Sequence, residues 1–295
     1  MVSRAGAATR GSRAVVVCAV LGGAVAGCAG AGSASESSGE AAVADARSAA
    51  SEVFEGGFPA GAIPDYQLGG AYEPEADVGV VVRDRTAEPA PGVYSICYVN
   101  AFQTQPGGLD AWPEQLLLQL DGATLFDPDW PDEALLDTSS TEKREAIAAV
   151  VVPWIDGCAE AGFDAVEFDN LDSYTRSHGA LSLEDNVALS ELLVDGAHAA
   201  GLAAGQKNAA EDTVTLGRGA GFDFAIAEEC AAYEECESYT AVYGEAVIDI
   251  EYSDQLPKPF TEMCSDENTP ASVVLRDRDL LTPSDEGYVR QSCSR

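Results

Sequence analysis

Four short clusters in this chain hold residues suited to acid–base chemistry, and each follows an apolar run. Residues 162–174 read GFDAVEFDNLDSY, which places Glu167 and Asp169 two apart, with Asp172 and Tyr174 following. Residues 225–236 read AIAEECAAYEEC, with Glu228 and Glu229 directly after the apolar segment. Residues 248–252, IDIEY, carry Asp249, Glu251 and Tyr252; residues 205–208, GQKN, end in Lys207 and Asn208. Carboxyl pairs without histidine or cysteine partners fit glycoside hydrolysis. One carboxyl protonates the leaving oxygen while the other attacks the anomeric carbon or activates water. In a chain with 50 acidic residues a single such cluster is commonly just solvated surface. Three of them, joined by a Lys–Asn pair and all at strand ends, carry more weight. Competing chemistries lack their residues. There is no G-x-S-x-G elbow, and no G-x-G-x-x-G follows a strand. With only His178 and His198 and no C-x2-C pair, neither a metal nor any other cofactor is expected.

The elements that must position these groups recur along the chain. Eight β-type runs fall at 65–70, 78–83, 93–99, 164–168, 202–207, 222–227, 246–252 and 272–276. Residues 143–162 and 183–201 have apolar positions at helical spacing and end in glycine, the second starting after Ser182 as an N-cap. Strands alternating with helices predict an α/β fold with a parallel sheet, and eight strands favour a single-domain (β/α)8 TIM barrel over residues 55–295. Such barrels hold their sites at the C-terminal ends of the strands. Alternate strand residues share a face. If Val166 and Phe168 pack under helices, then Glu167 and Asp169 look into the barrel mouth. By the same rule Phe224 and Ile226 read as helix-facing, which turns Glu229 inward and Glu228 outward unless a bulge intervenes. Residues 100–142, rich in Pro, Asp and Trp (FDPDWPDEALLDT), read as a long loop over one end of the barrel.

The N-terminus belongs to export. Arg4, Arg10 and Arg13 precede an apolar run from Ala14 to Gly27, too short for a confident membrane span, so residues 1–27 read as a signal peptide. Val25-Ala26-Gly27-Cys28 resembles a lipobox, making Cys28 the expected lipidation site; a Gly/Ser/Ala and acidic tether follows at 28–54. A lipid-anchored protein on the extracellular face of the cell membrane is expected. The net charge of −34 becomes more negative once the signal's three arginines are removed. Nucleic acid is therefore an unsuitable partner, whereas a polycation would be attracted. Apart from Cys18 and Cys28, six cysteines remain, an even number that in an exported chain implies three disulfides.

Taken in order, DYQLGG, ICYV, GFDAVEFDNLDSY, GLAAGQKN, GFDFAIAEECAAYEEC, VIDIEY and VVLRDRDL resemble glycoside hydrolase family 114 across about residues 58–293. The named activity of that family is endo-α-1,4-polygalactosaminidase, on a (β/α)8 barrel. Where the family usually has D-P-D-N, this chain has Glu167-Phe168-Asp169-Asn170; where it has N-E-x-C, this chain has Ala227-Glu228-Glu229-Cys230. The resemblance places the catalytic carboxyls at Asp169 and Glu228, overriding the parity preference for Glu229. It implies that Glu167, Lys207, Asn208, Glu251, Tyr252 and Tyr98 face substrate. The implied substrate is a cationic, partly deacetylated galactosamine polymer, which an acidic cleft would attract. Asp172, Asp249 and Glu251 are then the nearest candidates for its amines, and Tyr98 and Tyr174 for its rings or cations. A monomer is expected. The alternative is a non-catalytic surface protein that binds polysaccharide on the same barrel. For the cysteines, Cys230–Cys236 would close a small loop behind Glu228, Cys264–Cys293 would tie the last strand–helix unit, and helix-facing Cys97 would reach Cys158.

Overall fold

The computed structural model describes residues 57–293. The signal segment 1–27, Cys28 and the tether 28–54 lie outside the described residues. Eight strands pair in chain order, all parallel: β1 (Ile63–Tyr66), β2 (Val78–Asp84), β3 (Tyr94–Asn100), β4 (Ala165–Asp169), β5 (Ala203–Lys207), β6 (Phe224–Glu228), β7 (Val247–Tyr252) and β8 (Ser272–Arg276). A short β9 (Arg290–Ser292) adds antiparallel to β8. The fold is a TIM barrel, and the eight expected strands are all present.

Helices cover the far side of the sheet. α1 (Thr141–Ala161) starts where the Ser140 side chain accepts a hydrogen bond from the Lys143 amide, and it stops at Gly162, whose φ of 95° ends the helix. α2 (Leu183–Ala199) starts with a capping box between Ser182 and Asp185. A helical turn at Thr213–Thr215 runs into a π turn at Leu216–Ala220 before β6. α3 (Cys236–Tyr243) and the single turn α4 (Phe260–Met263) complete the layer. Among the described residues, the first two crossovers, β1 to β2 and β2 to β3, carry no helix.

The barrel interior is apolar in its lower layers. Val80, Val82, Ile96, Ala165, Ile226, Ile248, Ile250 and Val274 meet there, and the Phe224 ring fills the space left by Gly205. A Cβ at Gly205 would lie 2.4 Å from that ring, so the position has room only for glycine. Phe224 and Ile226 therefore face inward, contrary to the parity expectation. The outward positions of β6 are Ala225 and Ala227, which pack against Cys236 and Tyr239 of α3. Both faces of the strand are buried, so size decides the matter: the large side chains fill the barrel and the small ones admit the helix.

Closure is uneven. β8 lies beside β1, but no backbone ladder joins them. The buried Arg276 side chain spans the gap, donating to the Tyr66 carbonyl and to Leu281 O at 2.8 Å, with Asp65 at 3.6 Å. The three expected disulfides, Cys97–Cys158, Cys230–Cys236 and Cys264–Cys293, are formed. Residues 101–140 form an extended loop with a two-stranded turn, Gln119–Leu120 with Ala123–Thr124, and isolated bridges such as Phe126 to Ala134.

Candidate active site

At the C-terminal end of the barrel, the last inward residue of successive strands is polar. Tyr66, Asp84, Tyr98, Asn100, Asp169, Lys207, Glu228 and Tyr252 all line one cavity of about 650 Å³. Alternation alone brings them together: each sits two or four residues beyond an apolar interior position of its own strand. Glu228 comes inward because Phe224 and Ile226 do. Glu229 instead has a φ of 61° and turns toward Arg278, which it meets at 2.9 Å.

Lys207 is the centre of the arrangement. Its buried Nζ lies 3.1 Å from Glu228 Oε2, 3.6 Å from Asp169 Oδ2 and 3.6 Å from Glu167 Oε1. Burial alone would lower the lysine's pKa. Asp169, Glu228 and Glu167 outweigh burial and hold it well above the ordinary value, so the ammonium keeps its proton.

The three carboxyls around it differ. Glu228 is half-buried, and withdrawal from water would raise its pKa; the Lys207 ammonium and then hydrogen bonds from Tyr252 and Asn208 reverse the sign, and the net shift is downward. Tyr252 OH donates to Glu228 Oε1, and Asn208 Nδ2 donates to Oε2 at 3.0 Å. Asn208 also accepts from the Glu228 amide at 2.8 Å, locking the two residues together. Asp169 accepts from Tyr98 OH at 2.7 Å and from the Asn170 amide at 2.8 Å. Glu167 lies deeper, with no exposure, and accepts from Tyr66 OH at 2.9 Å. Burial pushes its carboxyl up to about 8, with Lys207 opposing only in part. Glu167 thus lies beneath the lysine and below the cavity surface, its carboxyl held above the ordinary range.

Several expected residues lie elsewhere. Asp249 and Glu251 do not reach the cavity. They alternate with inward Ile248, Ile250 and Tyr252, so they point to the helix layer. There Asp249 accepts from the Cys230 amide at 3.1 Å, while Glu251 accepts from the amides of Ala231 and Ala232 at 2.9 and 3.2 Å. Their work is to hold the Cys230–Cys236 loop behind Glu228. Tyr174 is also removed from the site, donating to Asp212 at 2.8 Å. Asp172 does line the cavity, paired with Arg176 at 2.9 Å. Among the described residues, Cys230, Cys236 and Asp249 stand at metal-ligand spacing, but the two sulfurs are bonded to each other.

The cavity has further residues that the strand motifs did not point to. Tyr66 ends β1, a position readable from DYQLGG. Asp127, Trp130 and Glu133 come from the FDPDWPDE stretch of the long loop. A network anchors them: Asn170 Nδ2 donates to Asn100 Oδ1 at 3.0 Å, Asn100 Nδ2 donates to Glu133 at 2.9 Å, and Gln103 Nε2 donates to Asp127 at 2.7 Å.

Comparison with known proteins follows the same geometry. The fold matches the structure of Ega3 from Aspergillus fumigatus in complex with galactosamine, with a TM-score of 0.63 and 22% identity, over 80% of this chain and 97% of that one. It also matches a variant of the glycoside hydrolase domain of PelA from Pseudomonas aeruginosa, with a TM-score of 0.52 and 12% identity, over 77% and 97% of the two chains. The α-N-acetylgalactosaminidase NagBb from Bifidobacterium bifidum matches with a TM-score of 0.51 and 12% identity, over 79% of this chain and 50% of that one. No curated protein matches by sequence. The profile of glycoside hydrolase family GH114 matches residues 43–295. A barrel whose mouth gathers carboxyls around one lysine, in a chain fitting that profile from end to end of its described part, is a glycosidase and belongs to glycoside hydrolase family GH114.

Proposed function

We propose that this glycosidase cleaves α-1,4 linkages in a cationic, partly deacetylated galactosamine polymer, with Glu228 as nucleophile and Asp169 as its acid–base partner. The observation that carries the reading is the single buried ammonium of Lys207 placed between the two carboxyls at the cavity floor. The facing oxygens can be no further apart than the sum of their 3.6 and 3.1 Å distances to Nζ. That bound falls below most of the roughly 6.5–9.5 Å range of inverting enzymes and admits the about 5–5.5 Å of retaining ones.

In the retaining sequence, Glu228 attacks the anomeric carbon while Asp169 gives its proton to the departing oxygen. Water then loses a proton to Asp169 and displaces the sugar from Glu228. Glu228, its pKa lowered, is ionised and ready for the first step. As its charge is consumed in the glycosyl ester, Asp169 acquires one. Lys207 touches both groups, so it keeps a carboxylate partner at every stage and acts as a positioning residue. The acidic composition and the galactosamine bound to the Ega3 relative support the choice of polymer.

Purified protein incubated with galactosamine polymer should release reducing ends, and NMR of the first product should find the α-anomer. Binding without new ends would favour the non-catalytic reading. Cleavage persisting in both Asp169→Asn and Glu228→Gln would remove the assignment.

The chain is further proposed to act as a monomer anchored through Cys28 on the outer face of the cell membrane. The lipobox-like Val25-Ala26-Gly27-Cys28 and three disulfides, which form in oxidising compartments, support this. Labelled fatty acid should enter the wild-type protein and not Cys28→Ala.

A further inference from the structure

One wall of the cavity is built by the loop between β3 and α1, beside Asp169. Glu133 on this loop is buried, at 8% exposure, yet it lines the cavity. Asn100 fixes one of its oxygens; the other has no protein partner among the described residues. Several neighbouring carboxyls are matched by cations. Arg176 serves Asp127 and Asp172, Lys207 serves Asp169 and Glu228, and Arg278 serves Glu229. Among the described residues, no basic side chain pairs with Glu133. A carboxyl withdrawn from water without a counter-charge is where an arriving cation gains most. Next to it on the same loop, Trp130 lines the cavity at 60% exposure, a large aromatic side chain open to solvent.

We propose that Glu133 and Trp130 form an amine-reading subsite beside Asp169, in which Glu133 takes the ammonium of a deacetylated sugar and Trp130 takes the sugar's ring face. This rests on the galactosamine-polymer reading and adds the side chain that separates a free amine from an acetylated one. An acetamide is neutral, so it offers Glu133 no counter-charge. Burial, opposed by the Asn100 hydrogen bond and reinforced by Asp169, Asp127 and Asp132, lifts the Glu133 carboxyl to about 7. An ammonium arriving near neutral pH would therefore expel a proton. Trp130 adds a π-face that accepts a ring or a cation regardless of acetylation.

The test uses calorimetry with fully deacetylated and fully N-acetylated galactosamine oligomers, on protein made inactive by Glu228→Gln. Adding Glu133→Gln should weaken the deacetylated oligomer about 10- to 100-fold and leave the acetylated one unchanged. Proton release at pH 7, read from buffers of different ionisation enthalpy, should vanish with it. Trp130→Ala should weaken both oligomers alike. Equal effects of Glu133→Gln on both oligomers, or on neither, would overturn the subsite. Should Glu133→Gln fail to fold, the protein with Glu133 intact decides: absence of proton release overturns the proposal. If neither oligomer binds with Glu133 intact, the substrate class falls and the subsite with it. Discrimination that survives Glu133→Gln sinks the subsite alone.

Discussion

Two segments of this barrel look alike as text and do opposite things. Glu167-Phe168-Asp169 on β4 and Asp249-Ile250-Glu251 on β7 are both acid–apolar–acid triplets at the ends of buried strands. On β4 the acids face inward, where a lysine waits 3.6 Å from each. On β7 they face outward and grip the amides of residues 230–232. The partner decides the chemistry. Next to an ammonium in a solvent-reaching cavity, a carboxyl can exchange protons and bonds with a substrate. Against peptide N–H groups in the helix layer, it serves as a strut.

The sharpest way to break this comparison is to make the same carboxyl-to-amide exchange on both sides. Asp169→Asn should lower kcat about 100- to 10,000-fold, measured by reducing-end release. Glu251→Gln keeps an acceptor for the Ala231 and Ala232 amides and should leave both kcat and thermal midpoint nearly unchanged. A comparable loss of kcat in Glu251→Gln would refute the outward assignment. Glu251→Ala orphans those two donors and should cost about 2–4 kcal/mol in chemical denaturation, with most of the activity per folded molecule retained. Gly205→Ala, which drives a methyl into the Phe224 ring beneath Lys207, should cost about 1–3 kcal/mol through overpacking.

A further expected effect is a pH slope. Glu167 has a folded pKa of about 8, above its unfolded value, so the folded state holds the proton longer. The stability it contributes is full below about pH 4.5 and is lost as pH rises toward 8. Glu167→Gln should flatten that fall between pH 5 and 8 in denaturant titrations; an unchanged slope would place its titration elsewhere.

The triplets also mark where sequence reading stopped. Eight strands, three cysteine pairs and the grouping of Asp169 with Lys207 were legible because strand length, cysteine parity and residue type are local properties. Facing direction was legible on β4, where the acids alternate with Val166 and Phe168. On β6 both faces are apolar, so alternation put Phe224 against the helices when it fills the barrel. On β7 the family resemblance and the cationic substrate it implies point the acids at substrate, although Ile248 and Ile250 occupy the interior. Glu133 and Trp130 left no periodic signal. Their place depends on how an irregular loop folds back over the mouth, held by Asn100 of β3, which Asn170 just past β4 steadies in turn.

Arg276 carries a last consequence. Everywhere else around the sheet, neighbouring strands are stitched by peptide groups, but the β1–β8 seam is fastened by side chains, with Arg276 gripping the Tyr66 carbonyl and Arg290 of β9 lying 3.5 Å from Asp65. The same tyrosine extends its hydroxyl to Glu167 under the lysine. Tyr66 therefore ties the seam to the floor of the site, so a change at the unladdered join in the wall lies one side chain away from the acid under the lysine.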